Sequence, residues 1–362
     1  MINSKNFKKQ KIALYSPYLD MLGGGERYFL TIASLLSRSH EVTLFSSEQI
    51  KEKAKDNFDI SLDRVQFLST SIIRTKNLFN KYSFIRQFDV FFYMTDGSLF
   101  FPLSKKNYLI IQSPIHIPMK SILNRFKFFK KWKILCYSRF MSNIIRKRLD
   151  YETIMLPPCI DVEKFKAKQE KKENIILSVG RFFPFPHNKK HDLLIELFKR
   201  NYKKYFYDWK LIIAGGLTEE GGKEVLSKLK KIAAGFPIQI ILNTKFNILL
   251  DIYKRAKIYW HAAGFGQDLE KFPERAEHFG ITTLEAMAAG EVPLVYSAGG
   301  QKDIINNGKN GYLWKTQKQL LDQTLKLIGN TSLLSNFSNF AVKRAADFSV
   351  KSFYDKLEKI IS

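Results

Sequence analysis

Residues Glu277–Gly300 read EHFGITTLEAMAAGEVPLVYSAGG, and this stretch decides the architecture of the second half of the chain. It carries two carboxylates, Glu277 and Glu285, eight residues apart. Thr282 and Glu285 have the spacing of a capping box, which predicts a helix that ends near Gly290. A helix start binds anions, because its unpaired N–H groups and the positive end of its dipole point outward. We therefore expect one acid to face a ligand's reacting end and the other to hold a more distant part.

Each acid also has a plain structural interpretation. Glu285 needs no ligand if it only caps its helix. Glu277, considered separately, could be an ordinary solvated acid in a loop. Phe279 and Gly280 argue against the second alternative, since a glycine beside an aromatic residue often marks a backbone that approaches something closely.

The motif resembles the signature of retaining GT-B glycosyltransferases of family 4, in which seven residues separate two glutamates. Its EHFGI form is similar to that of dolichol-pathway mannosyltransferases and related bacterial enzymes. This resemblance implies that Glu277 contacts the donor sugar and supports its developing positive charge, and that Glu285 holds the ribose hydroxyls. It further implies nucleotide-sugar contacts from the residues around the helix start, which are His278, Phe279, Gly280, Thr282 and Thr283.

Length and composition set the limits of the interpretation. A chain of 362 residues with 45% hydrophobic residues fits two domains of ordinary size. The two cysteines, Cys136 and Cys159, provide neither a disulfide framework nor a metal cluster, so we expect a reducing cytoplasm. We expect no cofactor apart from the nucleotide-sugar substrate and no bound metal ion. No apolar run reaches the length of a membrane span, and the amino terminus lacks the apolar core of a signal peptide.

The charge is strongly positive, with 59 Lys and Arg against 34 Asp and Glu and a net charge of +25. Such an excess favours contact with polyanions. The segment Lys120–Arg148 holds ten basic residues and no acid. Its first part also holds the aromatic residues Phe126, Phe128, Phe129 and Trp132. The pattern predicts a surface helix that binds an anionic membrane, so that the protein would be peripheral on the inner face of that membrane. The plain alternative is an amphipathic helix with a solvated basic face.

The first half alternates apolar runs of strand length with helical or irregular segments, which predicts a mainly parallel α/β sheet. The predicted strands are Lys11–Ser16, Glu41–Phe45, Val65–Leu68, Val90–Tyr93, Tyr108–Ile111 and Ile134–Cys136. The segment GGGER places Gly24 and Gly25 between the first strand and a helix, where a doubly wound sheet binds ligands. A tight turn is the alternative, and the spacing is not that of a dinucleotide site. By resemblance to the same glycosyltransferases, this loop approaches the donor phosphates or the acceptor.

The segment Ile110–Pro118, IIQSPIHIP, departs from the family pattern. Many relatives carry a histidine where Gln112 stands here. His116 is either its substitute or a loop histidine without a role, so a histidine contact to the donor sugar stays open.

The second half begins another α/β pattern, with Gly180 and Arg181 at the end of a strand. Arg181 and the following Lys189 or Lys190 lie where cations reach a ligand diphosphate, and the family's Gly-Arg and downstream Lys favour Lys189. Further strands are predicted at Lys210–Ala214, Ile238–Leu242, Ile258–Ala262 and Val292–Tyr296. Gly215 follows the first of these, and His261 is either a packed histidine or part of the nucleotide cleft.

The resemblance implies a GT-B fold, with two Rossmann-like domains whose parallel sheets face each other across a cleft. Two prolines near Met155 and a charged run after Phe165 predict a linker. We expect an acceptor-side domain over residues 1–165, a nucleotide-sugar domain over 166–345, and a last helix over 346–362 that packs back on the first domain.

The implied activity is transfer of a hexose from a nucleotide sugar to a lipid-linked or polysaccharide hydroxyl, with retention at the anomeric carbon. Arg181, Lys189 and the helix start would stabilise the departing diphosphate without a metal ion. GDP-mannose is the expected donor and UDP-sugars remain open. One rival is a nucleic-acid-binding protein, suggested by the charge of +25, but no RNA- or DNA-binding motif is recognisable and we expect no nucleic-acid partner. Another rival is a GT-B-like epimerase or phosphorylase.

Overall fold

The computed structural model describes residues 8–75, 77–101, 103–166, 172–184, 188–217 and 221–362. The chain forms two compact units: the first ends at Pro158 and regains Lys351–Ser362, and the second is Cys159–Val350. The sequence-based boundary at residue 165 is therefore a few residues late. The reason is that Phe165 packs within the second unit, with its ring 5.6 Å from that of Tyr253. The predicted charged linker falls mostly on residues 167–171, which lie outside the described residues.

The first unit is built on a seven-stranded parallel sheet in the order β3-β2-β1-β4-β5-β6-β7. Its strands are β1 Lys11–Tyr15, β2 Glu41–Phe45, β3 Val65–Leu68, β4 Val90–Met94, β5 Lys106–Ile110, β6 Trp132–Cys136 and β7 Thr153–Met155. Its helices are α1 Gly24–Leu36, α2 Ile50–Phe58, α3 Ser71–Arg74, α4 Leu78–Ile85, α5 Ile122–Lys131 and α6 Arg139–Leu149. The central strands are buried apolar runs, as expected of a parallel sheet covered on both faces.

The second unit has a six-stranded parallel sheet in the order β10-β9-β8-β11-β12-β13. Its strands are β8 Glu173–Val179, β9 Lys210–Gly215, β10 Ile238–Leu242, β11 Ala256–His261, β12 Val292–Tyr296 and β13 Tyr312–Trp314. Its helices are α7 Val162–Phe165, α8 His191–Asn201, α9 Gly222–Ala233, α10 Phe246–Arg255, α11 Ile281–Ala288, α12 Gln301–Ile304, α13 Gln317–Ile328 and α14 Thr331–Ala346. The neighbouring central strands β8 and β11 place their carboxyl ends side by side, and this edge carries the candidate site.

The last helix, α15 Val350–Ile361, lies almost entirely in the first unit. Buried Glu358 is 3.1 Å from His40 Nε2, and the Tyr354 hydroxyl is 2.8 Å from Ser39 Oγ. At the helix end, the Tyr108 hydroxyl donates to the Ile360 carbonyl.

The basic segment Lys120–Arg148 is not one surface helix but comprises α5, β6 and α6. Helix α5 ends where Trp132 turns extended and enters the sheet, and the Trp132 indole donates to the Phe100 carbonyl at 3.2 Å. Phe128 is also buried, whereas Phe126 is exposed. Of the predicted membrane-facing aromatics, Phe128 and Trp132 therefore belong to the core, and the side chain of Phe129 lies outside the described residues.

Candidate functional site

Two glycines bring the ends of β8 and β9 together. The Gly180 N–H donates to the Ala214 carbonyl at 2.9 Å, and a Cβ on Gly215 would lie 2.0 Å from the Gly180 carbonyl oxygen. A Cβ on Gly180 would lie 2.7 Å from Lys189 Cγ. Glycine at position 180 thus allows the Lys189 side chain to cross the end of β8.

Lys189, His261 and Glu277 form the centre of the site. Lys189 Nζ lies 2.6 Å from Glu277 Oε2, and His261 Nε2 lies 3.2 Å from the same oxygen. The side chains of Lys189 and Glu277 are 23% and 17% exposed, while that of His261 is 2% exposed. The structure therefore joins residues from three separate segments around one carboxylate, and places His261 at the site rather than in the packed core alone.

The protonation states of this cluster follow from its contacts. Burial alone would raise the pKa of Glu277, but the Lys189 charge and the hydrogen bond from His261 hold that pKa well below its usual range. Burial lowers the pKa of His261, which Glu277 offsets only in part. An ionised carboxylate only accepts hydrogen bonds. Neutral His261 therefore carries its proton on Nε2, and this N–H donates a hydrogen bond to Glu277. Among the described residues, its buried Nδ1 then has no hydrogen-bond partner.

His191 is a neighbour of the cluster that sequence reasoning missed. Burial, with the charge of Lys189 next, lowers the pKa of His191 to about 3, so this histidine is neutral. Its ring packs edge-on against Phe182 at 5.5 Å. Its place directly after Lys189-Lys190 is a sequence signal, but nothing in the pattern shows that it is buried.

The predicted capping box at Thr282 and Glu285 is wrong. Helix α11 begins two residues earlier, with Gly280 as its N-cap at a left-handed φ of 110°. Thr282 and Glu285 therefore both lie inside the helix. The Thr282 hydroxyl is 2.8 Å from that of Tyr259.

Glu285 is buried inside the second unit, with 3% of its surface exposed. Its Oε2 accepts a hydrogen bond from the Tyr253 hydroxyl at 3.0 Å. This contact replaces the predicted capping role, and the ribose contact implied by family resemblance stays a prediction.

The turn after β12 holds the Glu277 loop in place. The Gly300 N–H donates to the Glu277 carbonyl at 2.8 Å, and a Cβ on Gly299 would lie 2.0 Å from that oxygen. Gln301 donates to the Thr283 hydroxyl at 3.0 Å, and its amide would contact any Cβ on Gly280. Close backbone contacts at these glycines hold the Glu277 loop in position. The sequence alone does not reveal this role.

Three further predicted site residues have contacts of their own within the second unit. Phe279 is buried with its ring 5.8 Å from Phe348, and His278 Nε2 lies 3.2 Å from the Glu274 carbonyl. The Arg181 guanidinium lies 5.6 Å from the ring centre of Phe183, in the loop after β8.

Lys190 takes a different direction from Lys189. It is the N-cap of α8, at a φ of 56°. It lines a groove of about 410 Å³ together with residues of α8, α9 and α13, the acids Asp192 and Glu196 among them. The two adjacent lysines are thereby distinguished, and Lys189 is the one that contacts Glu277.

The predicted glycine loop of the first unit starts α1. The Gly23 N–H donates to the Glu26 carboxylate at 2.7 Å, and a Cβ on Gly24 would meet open space. Gly25 lies under Gln112, whose amide oxygen would be 1.5 Å from a Cβ there. Gln112 is thus packed on the glycine loop.

The described residues contain neither a cluster of metal-ligating side chains nor a helix that could span a membrane. Within those ranges no three His, Cys, Asp or Glu side chains are grouped closely enough to hold a metal ion. No described helix combines the length and the apolar character that crossing a membrane requires.

Solved structures show the same fold at low sequence identity. A glycosyltransferase from Rickettsia africae superimposes with a TM-score of 0.74 at 17% identity, covering 98% of both chains. Together with the two parallel sheets, this likeness identifies the fold as GT-B.

Curated relatives share the name GDP-Man:Man(3)GlcNAc(2)-PP-Dol alpha-1,2-mannosyltransferase. The Xenopus laevis protein is 32% identical over 43% of this chain, and the match spans only 32% of that protein's length. The Caenorhabditis elegans protein is 26% identical over 89% of this chain and 84% of its own length.

The sequence model of glycosyl transferases group 1 matches residues 160–344, just over half of the chain. The match includes Lys189, His261 and Glu277, and nearly the whole second unit. This chain therefore belongs to the glycosyl transferases group 1 family.

Proposed function

We propose that the protein is a retaining mannosyltransferase that moves mannose from GDP-mannose to a hydroxyl of a lipid-linked or polysaccharide acceptor. The observation that carries the proposal is the contact of Lys189 and His261 with Glu277 at the carboxyl end of the second sheet. The family supports sugar transfer, and the names of the relatives support GDP-mannose and a lipid-linked acceptor.

The reaction moves charge in a way that this cluster suits. The bond from the anomeric carbon to the phosphate oxygen breaks, and its electron pair leaves with GDP. The acceptor oxygen bonds to the same face of that carbon, and its proton passes to the departing phosphate. Negative charge therefore grows on the diphosphate and positive charge on the sugar ring, so fixed groups of opposite sign lower the barrier.

Each residue has one task in this scheme. Lys189 supplies the cation for the diphosphate, and Arg181 in the loop after β8 adds a second. Ionised Glu277 faces the positive charge on the sugar. His261 fixes the direction of Glu277 through its Nε2–H, and the first N–H groups of α11 add a positive dipole end. The scheme uses no metal ion.

A thermal-shift panel tests the donor assignment. We expect GDP and GDP-mannose to raise the melting temperature by several degrees, because ligand at 100 times its Kd adds about 2.7 kcal/mol of stability. UDP and UDP-glucose should give smaller shifts, and EDTA should change none of them. Stabilisation by UDP alone would contradict the guanine nucleotide, and stabilisation by none of the four would contradict the donor class.

A second surface supports a peripheral place on an anionic membrane. Large apolar side chains are exposed along residues 115–126 of the first unit, with Met119 81%, Ile122 77% and Phe126 62% exposed. Lys120 and Arg125 are exposed beside them. Apolar insertion combined with cations next to acidic headgroups is the chemistry of an interfacial helix. We therefore place this face on the inner surface of a membrane that carries the acceptor.

Removal of two of these apolar side chains tests the membrane contact. The double substitution Ile122→Ser with Phe126→Ser should weaken cosedimentation with phosphatidylcholine–phosphatidylglycerol vesicles at least tenfold, since both side chains lose their apolar transfer energy. A matched control is Ile248→Ser with Phe340→Ser, two exposed apolar residues of the second unit. Equal binding by both double variants would remove the membrane role of α5.

A further inference from the structure

Three loops of the first unit carry polar and aromatic groups that the scheme above does not use. They follow β1, β4 and β5, which are adjacent in the order β1-β4-β5, so their carboxyl ends meet at one edge of the sheet. The groups are Tyr18, Asp96, Ser113 and His116. The loop after β5 leads directly into α5, which carries exposed apolar side chains.

The Tyr18 and His116 rings form an aromatic platform. Their centroids are 5.3 Å apart and their planes differ by 23°, and both residues are half-buried. Gly97 lies beside the backbone of His116, because a Cβ at its φ of 99° would be 3.9 Å from the His116 carbonyl oxygen. An aromatic face of this kind suits the C–H groups on one side of a sugar ring.

Asp96 is an oriented acid at the rim of the platform. Its Oδ1 accepts hydrogen bonds from the Ser98 N–H at 2.9 Å and from the Tyr93 hydroxyl at 3.1 Å. Within the described part of the chain, Oδ2 has no hydrogen-bond partner and no Lys or Arg pairs with the carboxylate. An exposed acid without a cation repels phosphate and accepts hydroxyl hydrogen bonds, even in a chain with a net charge of +25.

Two neutral groups at the base of the loop add hydrogen-bonding capacity. Ser113 Oγ and His116 Nδ1 are buried, and neither atom has a partner among the residues that the structure describes. Burial outweighs the nearby Asp96 charge and lowers the pKa of His116, so its ring is neutral. Buried polar atoms are ordinarily paired, which makes two such atoms in one four-residue segment a reason to look for a ligand.

We propose that Tyr18, Asp96, Ser113 and His116 form a hexose-binding subsite for the acceptor. This proposal rests on the proposed function, because it takes the hexose bound beside the apolar face of α5 to be part of the acceptor. Aromatic stacking positions the ring, and Asp96 Oδ2 accepts from its hydroxyls. An acid without a cation, beside neutral polar groups, favours a sugar over the diphosphate of a lipid-linked acceptor.

Ligand-observed NMR on the full chain tests this subsite with methyl α-mannopyranoside, methyl β-glucopyranoside and methyl N-acetyl-β-glucosaminide. At least one should bind in the millimolar range. Asp96→Asn should weaken this binding about tenfold through the loss of one charged hydrogen bond, and Tyr18→Leu should weaken it about tenfold through the loss of aromatic stacking. Asp63→Asn, on an exposed acid paired with Lys51, is the control and should change nothing.

The outcomes separate this subsite from the donor site. GDP-mannose stabilisation should be the same in the wild type, Asp96→Asn and Tyr18→Leu. The proposal is overturned if none of the three glycosides binds, if Asp96→Asn binds as wild type, or if pyrophosphate displaces the sugar. Loss of GDP-mannose binding in these variants would assign the groups to the donor and also overturn it. Absence of GDP-mannose binding by the wild type would instead refute the proposed function.

Discussion

Glu277→Gln is expected to lower the kcat of GDP-mannose turnover by about 10²- to 10³-fold. The amide keeps the shape of the side chain but removes the charge that faces the positive sugar, and one preorganised electrostatic group contributes about 3–4 kcal/mol to such a barrier. The measurement is steady-state release of GDP. Because the pKa of Glu277 lies well below its usual value of 4.5, the wild-type residue is ionised at pH 7 and the comparison isolates the charge.

Stability and a neighbouring acid provide the controls for this variant. A depressed folded-state pKa means that Glu277 stabilises the fold above about pH 4.5 and loses that contribution as the pH falls through the lower folded value. Lys189 is 23% exposed, so it regains water when its partner is neutral, and we expect only a small fall in melting temperature at pH 7. Glu270→Gln, an exposed acid of the same loop, should retain full turnover. Near-normal turnover by Glu277→Gln would end its assignment to the site.

The adjacent lysines give the second large effect. Lys189→Met is expected to lower kcat/KM for GDP-mannose by about 10²-fold or more, because the diphosphate loses a cation within reach of Glu277. Lys190→Met should change it less than threefold, since Lys190 caps α8 and lines the groove with Asp192 and Glu196. The two variants remove the same charge from neighbouring positions.

Each variant is therefore a control for the other, because both have the same net charge and the same long-range attraction for the nucleotide. Equal losses in Lys189→Met and Lys190→Met would mean that the loop acts only as a diffuse positive field. A larger loss in Lys190→Met would move the diphosphate to the groove.

Much of the fold is predictable from local pattern. Buried parallel strands are short apolar runs bounded by turn residues, so β1, β2, β9 and β12 could be placed within a residue or so. Glu277 and Lys189 were identified because their family motifs are local as well. The strand β7 was missed, since three residues with little burial give no run to detect.

The other errors come from tertiary contacts that no local pattern reports. The capping box at Thr282 fails because the helix already starts at Gly280, whose left-handed backbone and close approach to Gln301 both favour glycine. A basic, aromatic run has the same sequence pattern on a surface helix as across a junction between a helix and a strand. The sequence therefore predicts Trp132 on the membrane face, although the residue begins a buried strand. His261 pairs with Glu277, although the two lie in different segments of the sequence. Gly299 and Gly300 likewise contact the Glu277 carbonyl from a separate loop.

Proton NMR of GDP-mannose without acceptor, at a protein concentration that releases sugar faster than it mutarotates, tests the role of Glu277 and the retaining chemistry together. The expected result is GDP and free α-mannose, the anomer of the donor, from the wild type, and at least a hundredfold less from Glu277→Gln. Intact GDP-mannose with the wild type, an epimerised nucleotide sugar, β-mannose as the first product, or equal hydrolysis by Glu277→Gln would contradict it.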